Sequence, residues 1–340
     1  MAYSNGFIDN TSDAYATYGG GIRTAASPPW GSGFIVQNST AYNNGIGHTG
    51  PAGGHGIWVD AVPNPIVRYN KSYGNLRDGI FAEALSNGGE IYYNLSYNNG
   101  LGVGWESGIS VEGRNTQPSD NVLIYNNVAY GNNFGIRVNS QDNAASTIMR
   151  TIVKNNIATG NTFQLVAFSG GQNDGTMGSG NVYTYNGFGP EAANFIIWGL
   201  GVGKSTYDAW ETAYGGTTNS VEADPLFVST VTPDFRLQAS SPAINAGVDV
   251  GLTTDYAGNE IWENVDIGAY EYQPLMTDTV TGRVFTWPAV PGAIAYQLQI
   301  DIYSDFRNPI VDIVTTEQSY NQGGLSPRYK YYWRVRAKRR

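Results

Sequence analysis

Cysteine is absent from the 340 residues of this chain, so disulfide bonds and thiolate metal sites are excluded. Histidine occurs only twice, as His48 and His55, and charged residues make up 14% of the sequence. Disordered acidic chains are rich in charge, so this low fraction indicates a folded chain despite the net charge of −9.

Long apolar runs and an excess of basic residues are also missing. No apolar run approaches the roughly 18 residues that a membrane-spanning helix needs. The N-terminal residues show no basic start followed by an apolar stretch, so no signal peptide is visible. With 28 acidic against 19 basic residues, nucleic acids and membranes are disfavoured as partners, because phosphate binding requires a basic surface.

The sequence does contain an irregular repeat of short strand-like segments. Five of them align without gaps: GIRTA from Gly21, GIWVD from Gly56, GIFAE from Gly79, GISVE from Gly108 and GIRVN from Gly135. Their starts are 35, 23, 29 and 27 residues apart. Side chains alternate between the two faces of a strand, so the aliphatic positions share one face. The other face then carries a row of aromatic and acidic side chains.

Asparagines form a second repeat beside the first. The segments YNKSYGN, YNLSYNN, NNVAYGN and NNIATGN stack two columns, one of Asn70, Asn94, Asn127 and Asn156, the other of Asn75, Asn99, Asn132 and Asn161. Stacked asparagines hydrogen-bond from one strand to the next. A repeat of this length without helical periodicity predicts a parallel β-solenoid.

A short helix is expected around 207–214. Two regions after it have sequence patterns of their own. Residues 224–271 resemble the closing coils of bacterial right-handed parallel β-helix proteins, which implies a β-helix domain over 1–273 whose cap, 224–271, covers the last apolar coil. Residues 274–340 resemble a fibronectin type III module without its last strand. We therefore predict an all-β chain, a right-handed parallel β-helix followed by a small, incomplete fibronectin type III-like β-sandwich.

A carboxylate recurs at one outer position of three consecutive repeats, as Asp60, Glu83 and Glu112. Because adjacent strands stack about 4.8 Å apart, neighbouring carboxyl groups are expected roughly 5 Å apart. That spacing fits the two carboxyl groups of a retaining glycoside hydrolase, and their proximity raises one pKa to give a proton donor. Plain solvation and Ca²⁺ binding through oxygen ligands are the alternatives.

GIWVD and GIFAE also resemble the paired motifs of the β-helical β-xylosidases of glycoside hydrolase family 120. The resemblance covers roughly residues 50–140. It implies that Asp60 is the nucleophile and Glu83 the acid/base, with Glu112 the third catalytic candidate.

Seven further residues are expected to bind substrate: Trp58, Phe81, His48, His55, Trp105, Glu106 and Arg137. The two aromatic rings on the acidic strands are expected to be exposed and to stack on sugar rings. The histidines flank a glycine-rich loop that would supply donors for hydroxyl groups. The arginine would hold Glu112 ionised.

Two other functions remain open at this stage. A polysaccharide lyase would use Lys71 or Arg68, which are expected to cluster with Arg77, together with Ca²⁺. A non-catalytic adhesin or glycan-binding module needs no catalytic group, and the fold alone does not separate these classes. All three imply a glycan partner and an extracellular, secreted or surface-attached protein, with no cofactor other than the optional Ca²⁺.

Overall fold

The computed structural model describes residues 2–3, 8–9, 19–25, 34–46, 53–85, 87–101, 104–114, 117–140, 147–168, 178–199, 203–261, 264–273, 283–302, 306, 309–325 and 331–339. The chain divides into two compact units, Met1–Tyr272 and Gln273–Arg340. Within the described residues, no helix has the length and apolar character needed to cross a membrane.

The first unit winds repeatedly through three parallel sheets. Sheet A contains β1 (Ala2–Tyr3), β4 (Ile35–Gln37), β7 (Ile66–Arg68), β10 (Gly89–Tyr92), β14 (Val122–Tyr125), β18 (Ile152–Lys154) and β21 (Val182–Thr184). Sheet B contains β2 (Ile8–Asp9), β5 (Thr40–Tyr42), β8 (Lys71–Tyr73), β11 (Leu95–Tyr97), β15 (Val128–Tyr130) and β19 (Ile157–Thr159).

Sheet C carries the longest strands. It contains β3 (Gly19–Ala25), β6 (Gly53–Asp60), β9 (Ile80–Glu83), β12 (Ser107–Gly113), β16 (Phe134–Ser140), β20 (Phe163–Phe168) and β22 (Ile196–Trp198), with β23 (Gly203–Lys204) antiparallel at one edge. A minor pair joins β13 (Ser119–Asp120) to β17 (Ile148–Met149). The chain visits sheets A, B and C in turn, so the predicted parallel β-solenoid is confirmed.

The repeats of sheet C are in register. Ile57, Ile80, Ile109 and Ile136 pair in order along the sheet, and all four are fully buried. The glycine that precedes each isoleucine leaves room for the interior asparagine column. A Cβ on Gly79, for example, would lie 2.0 Å from Ser96 Oγ and 2.8 Å from the carbonyl oxygen of Gly108. The inner face predicted from the alternation is therefore confirmed.

The asparagine columns are continuous chains of buried hydrogen bonds. Asn70 Nδ2 donates to Asn94 Oδ1 and Asn94 Nδ2 donates to Asn127 Oδ1, each at 2.9 Å. Each acceptor oxygen also receives a backbone N–H, as from Asn70 N to Asn94 Oδ1 at 3.1 Å. The column continues through Asn156 to Asn186, one coil beyond the predicted repeat.

The inner core ends against a helix. Helix α1 (Tyr207–Tyr214) begins at the N-cap Thr206, whose side chain accepts from the N–H of Ala209, and it buries Tyr207 and Trp210. The Trp210 ring lies 5.3 Å from Phe188 and 6.0 Å from Trp198. The predicted short helix is therefore present, and it covers the last apolar coil in place of residues 224–271.

Residues 224–271 instead pack along the outside of the coils. The antiparallel pair β24 (Phe227–Ser229) and β25 (Asp234–Leu237) brings Phe235 to 5.4 Å from Tyr97 and 5.5 Å from Tyr130, both on sheet B. This segment forms a separate core cluster with the outer tyrosines. The tyrosines on the outer face explain the difference, because they offer an apolar surface beside the coils.

Two buried carboxyl groups with raised pKa values, Asp266 and Glu271, make this side segment sensitive to pH. Burial, with the charge of Asp266, raises the pKa of Glu271 from 4.5 to about 8. The folded chain then holds a proton that the unfolded chain releases, so stability falls as the pH rises through that interval. We expect Glu271→Gln, which keeps an acceptor for the N–H of Asp266, to flatten the decline of the thermal unfolding midpoint between about pH 5 and pH 8.

The matched control for that measurement is Glu260→Gln, because Glu260 is an exposed glutamate of the same segment. Its midpoints should follow the wild-type curve. Parallel curves for wild type and Glu271→Gln would contradict the assignment.

The second unit is a small pair of antiparallel sheets. One sheet joins β26 (Arg283–Thr286) to β29 (Ser319–Gln322), and the other has the order β28 (Val311–Thr315), β27 (Ala295–Asp301), β30 (Tyr332–Lys338). Trp287, Leu298 and Ile300 are among its buried residues. The fibronectin type III resemblance stays a prediction.

Candidate functional site

The three predicted acids form one column on the outer side of sheet C. Asp60 pairs with Glu83, Glu83 with Glu112, and Glu112 with Asn139 in the strand register. Their side chains are 23%, 3% and 0% exposed in that order. Asp60 is therefore the acid that solvent reaches most, and the complete burial of Glu112 keeps it from direct contact with a substrate.

Each acid of the column has an arginine partner. Arg23 Nη2 lies 3.1 Å from Asp60 Oδ2, Arg114 Nη1 lies 3.1 Å from Glu83 Oε2, and Arg137 Nη2 lies 2.6 Å from Glu112 Oε1. The sequence predicted only the last of these pairs. Since the arginines supply the positive charge, the column itself is poorly suited to Ca²⁺.

The environment of Glu83 favours its protonated form. Burial raises the pKa of Glu83, the charge of Asp60 adds to the effect, and Arg114 opposes it. The indole N–H of Trp58 donates to Glu83 Oε1 at 2.8 Å and fixes the carboxyl group. For Glu112, burial raises the pKa to about 7 although Arg137 opposes the shift. The ion pair with Arg137 favours the ionised form of Glu112, as expected, but it only partly offsets the effect of burial.

Trp58 and Phe81 are not exposed, contrary to expectation. Their residues are 7% and 2% exposed. The imidazole of His55 stacks on Phe81 at 4.7 Å and 14°, while the guanidinium of Arg23 lies 4.0 Å from the centre of the Trp58 ring. Neighbouring outer side chains thus cover the faces expected to stack on sugar.

A second polar cluster lies at the opposite ends of the same strands. His55 Nδ1 is 3.2 Å from Asp78 Oδ2, and Arg137 Nη2 is 3.4 Å from Asp78 Oδ1. Arg77 Nη1 is 2.6 Å from Glu106 Oε1. Arg137 also contacts Glu112, so it links this cluster to the acid column.

Burial controls the ionisation of this second cluster. It lowers the pKa of His55 and raises the pKa of Glu106 to about 8, where the charge of Asp78 adds to the rise. Burial alone would raise the pKa of Asp78, but Arg137 and His55 more than offset it and hold that pKa below its usual value. The cluster therefore combines a neutral imidazole with an ionised aspartate.

Sequence reasoning missed Asp78, although a signal was present. The residue stands directly before the repeat that starts at Gly79, one coil along from His55. Glu106, expected in a groove wall, is instead buried in the cluster. Trp105 is 49% exposed, with its ring 5.5 Å from Phe134. It is the substrate-binding candidate that presents an open aromatic surface.

The remaining candidates lie elsewhere. His48 is outside the described residues. Arg68 is on sheet A, where its guanidinium contacts Gln37 and Tyr92, and Lys71 is exposed on sheet B. The predicted cluster of these two residues with Arg77 beside the acid column is therefore wrong, because the chain turns twice between Arg68 and sheet C.

Comparison with known proteins shows what the chain is similar to. A family described as "Right handed beta helix region" matches residues 2–147. The uncharacterized protein YwoF of Bacillus subtilis (strain 168) is 30% identical over 205 residues, which is 55% of this chain and 40% of that protein. The chain thus spans less than half the length of this relative.

Among solved structures, the crystal structure of pectate lyase Pel9A is similar at 17% identity and a TM-score of 0.41, over 70% of this chain and 59% of that one. The family match and the sheet topology together show that the chain has the right-handed parallel β-helix fold.

Proposed function

We propose that this chain is a carbohydrate-active β-helix protein that cleaves neutral glycans as a retaining glycoside hydrolase, with Asp60 as nucleophile and Glu83 as acid/base. The observation that carries the proposal is the direct register of these two acids on adjacent strands. Their backbones are therefore one strand spacing, about 4.8 Å, apart, and retaining enzymes hold their two carboxyl groups about 5–5.5 Å apart.

The two environments suit two different roles. Glu83 is buried and its pKa is raised, which favours the protonated form that a proton donor needs. Asp60 is more exposed, and its Oδ2 lies 3.1 Å from Arg23 Nη2. Paired titratable groups in contrasting surroundings are a common source of an acid and a nucleophile.

The proposed reaction has two steps. Glu83 donates its proton to the glycosidic oxygen while an Asp60 oxygen attacks the anomeric carbon, which breaks the bond to the leaving sugar and forms a glycosyl ester. Glu83, now ionised, then takes a proton from water, whose oxygen attacks the same carbon and releases Asp60. Because Arg114 lies against Glu83, a sugar that reaches this acid has to displace the Arg114 side chain.

An anionic glycan is the second candidate substrate. Arg23 and Arg114 are both partly exposed beside the column, where they can bind a uronate carboxylate. A polysaccharide lyase acting there would release an unsaturated product, whereas a hydrolase consumes water and releases a saturated one. The ultraviolet absorbance of the products separates the two reactions.

Replacement of Glu83 by glutamine tests the acid/base role. We expect kcat for glycosides with poor leaving groups to fall by about 10²–10⁴-fold, because protonation of the leaving oxygen is lost. Nitrophenyl glycosides need little protonation and should lose much less in the first step. The measurement is kcat/KM across aryl glycosides of graded leaving-group pKa, with the anomeric form of the first product followed by nuclear magnetic resonance.

A steeper dependence on leaving-group pKa in Glu83→Gln than in wild type supports the role. An equal loss for all substrates would contradict it. A first product of inverted configuration would contradict the retaining mechanism. No turnover by wild type across a broad glycan panel would instead favour a binding module.

A further inference from the structure

We propose that His55, Asp78 and Glu106 bind one first-row divalent metal ion of the zinc type, at a site separate from the Asp60–Glu83 pair. In the described part of the chain, these three side chains each offer one ligand atom, and the three atoms lie within 4.8 Å of one another. All three residues are buried.

The imidazole of His55 and the carboxyl group of Asp78 approach each other without good hydrogen-bond alignment. His55 Nδ1 and Asp78 Oδ2 are buried, and neither makes a well-aligned hydrogen bond to any described residue. They face each other at 3.2 Å. Two tetrahedral ligands at metal distances of about 2.0–2.1 Å lie about 3.3–3.4 Å apart, so the observed spacing fits one edge of such a site.

The charge balance leaves room for a cation. The connected cluster holds three carboxyl groups, from Asp78, Glu106 and Glu112, against the two guanidinium groups of Arg77 and Arg137. With a neutral imidazole, the fully ionised cluster carries one net negative charge.

The arginines hold the carboxylates without taking all their oxygens. Arg77 contacts Oε1 of Glu106 and Arg137 approaches Oδ1 of Asp78, which also accepts the N–H of Ser107 at 2.5 Å. Neither contact uses Asp78 Oδ2, which faces His55 Nδ1. Partners of this kind orient ligating carboxylates in known metal sites.

The ligand types select the metal class. One imidazole nitrogen with two carboxylates suits zinc and its first-row neighbours, whereas Ca²⁺ and Mg²⁺ prefer oxygen ligands alone. Three protein ligands leave a fourth position open, as in catalytic rather than structural zinc sites.

Metal binding by the chelator-treated full chain tests this site without any need for activity. Zinc titration by calorimetry should show one saturable equivalent per chain, and Co²⁺ should give the visible absorption of a four-coordinate N/O site. We expect His55→Gln and Glu106→Gln each to weaken zinc binding by at least about 100-fold, since loss of a direct ligand exceeds the 10–100-fold cost of losing an outer partner. Circular dichroism confirms that each variant is folded.

Asp60→Asn is the matched control, because it removes a carboxylate of sheet C outside the cluster. It should bind zinc as wild type does, so a failure of the glycosidase proposal leaves this test intact. Absence of saturable binding up to about 1 mM zinc, weaker than known zinc sites by many orders of magnitude, would overturn the site. Unchanged affinity in the folded His55→Gln variant would overturn it as well.

Discussion

Asp60→Asn is expected to lower kcat for glycoside cleavage by about 10³-fold or more, since loss of a covalent nucleophile removes a whole reaction path. Asparagine keeps the shape of the side chain and a contact with Arg23 but supplies no anionic oxygen to attack the anomeric carbon. The loss should appear with every leaving group, unlike the graded loss expected for Glu83→Gln. Steady-state kinetics on nitrophenyl and natural glycosides measures it.

The control for this variant is Asp120→Asn. Asp120 also pairs with an arginine, Arg150, but on the minor pair of β13 and β17 rather than on sheet C. Exposed ion pairs contribute about 0–1 kcal/mol, so both variants should unfold near the wild-type temperature. Activity retained by Asp60→Asn, or lost equally in Asp120→Asn, would rule out the assigned nucleophile.

Asn94→Ala is expected to lower the free energy of unfolding by about 3 kcal/mol or more, because several buried groups lose their partners at once. The Asn94 amide donates to the carbonyl oxygen of Val67 at 2.8 Å and to Asn127 Oδ1 at 2.9 Å. Its oxygen accepts from both the backbone and the side chain of Asn70. Alanine removes the side-chain acceptor of the Asn70 N–H and one bond each from Asn70 Nδ2, which keeps the carbonyl oxygen of Val36, and Asn127 Oδ1, which keeps the N–H of residue 94.

Urea unfolding followed by circular dichroism measures the change for Asn94→Ala. Asn194→Ala is the control, because Asn194 is exposed, and surface changes of this kind usually stay within about 0.5 kcal/mol. A loss for Asn94→Ala no larger than that of the control would show that water, rather than the column, satisfies these groups.

Most of the fold can be predicted from the sequence because each coil of a solenoid places similar residue types at the same positions. The aligned isoleucines predict the inner face, and the aligned acids predict the pairing of Asp60 with Glu83. The alternation of side chains along a strand does not predict what covers the outer face. It places Trp58 on that face but does not specify the guanidinium group that lies over the ring. The same limit applies to α1, whose residues predicted a helix but not its position against the last coil.

Within the candidate site, the sequence predicted only how the acids of the column pair. Arg114 lies one residue beyond the end of its strand and two residues beyond the aligned segment. The alignment of the repeats therefore does not pair it with Glu83. Asp78 and His55 occupy the same position on adjacent coils, but the two loops before them differ in length. Their contact emerges only once the register of sheet C is known.

Because of the register of sheet C, the distance between the two acids also does not depend on the number of residues between them in the sequence. The repeats start 35, 23, 29 and 27 residues apart, yet the same positions pair on every rung. Loops between the strands can therefore lengthen or shorten while the Asp60–Glu83 separation stays fixed. Exchange of these loops is therefore the direct way to redesign this surface without moving the two carboxyl groups.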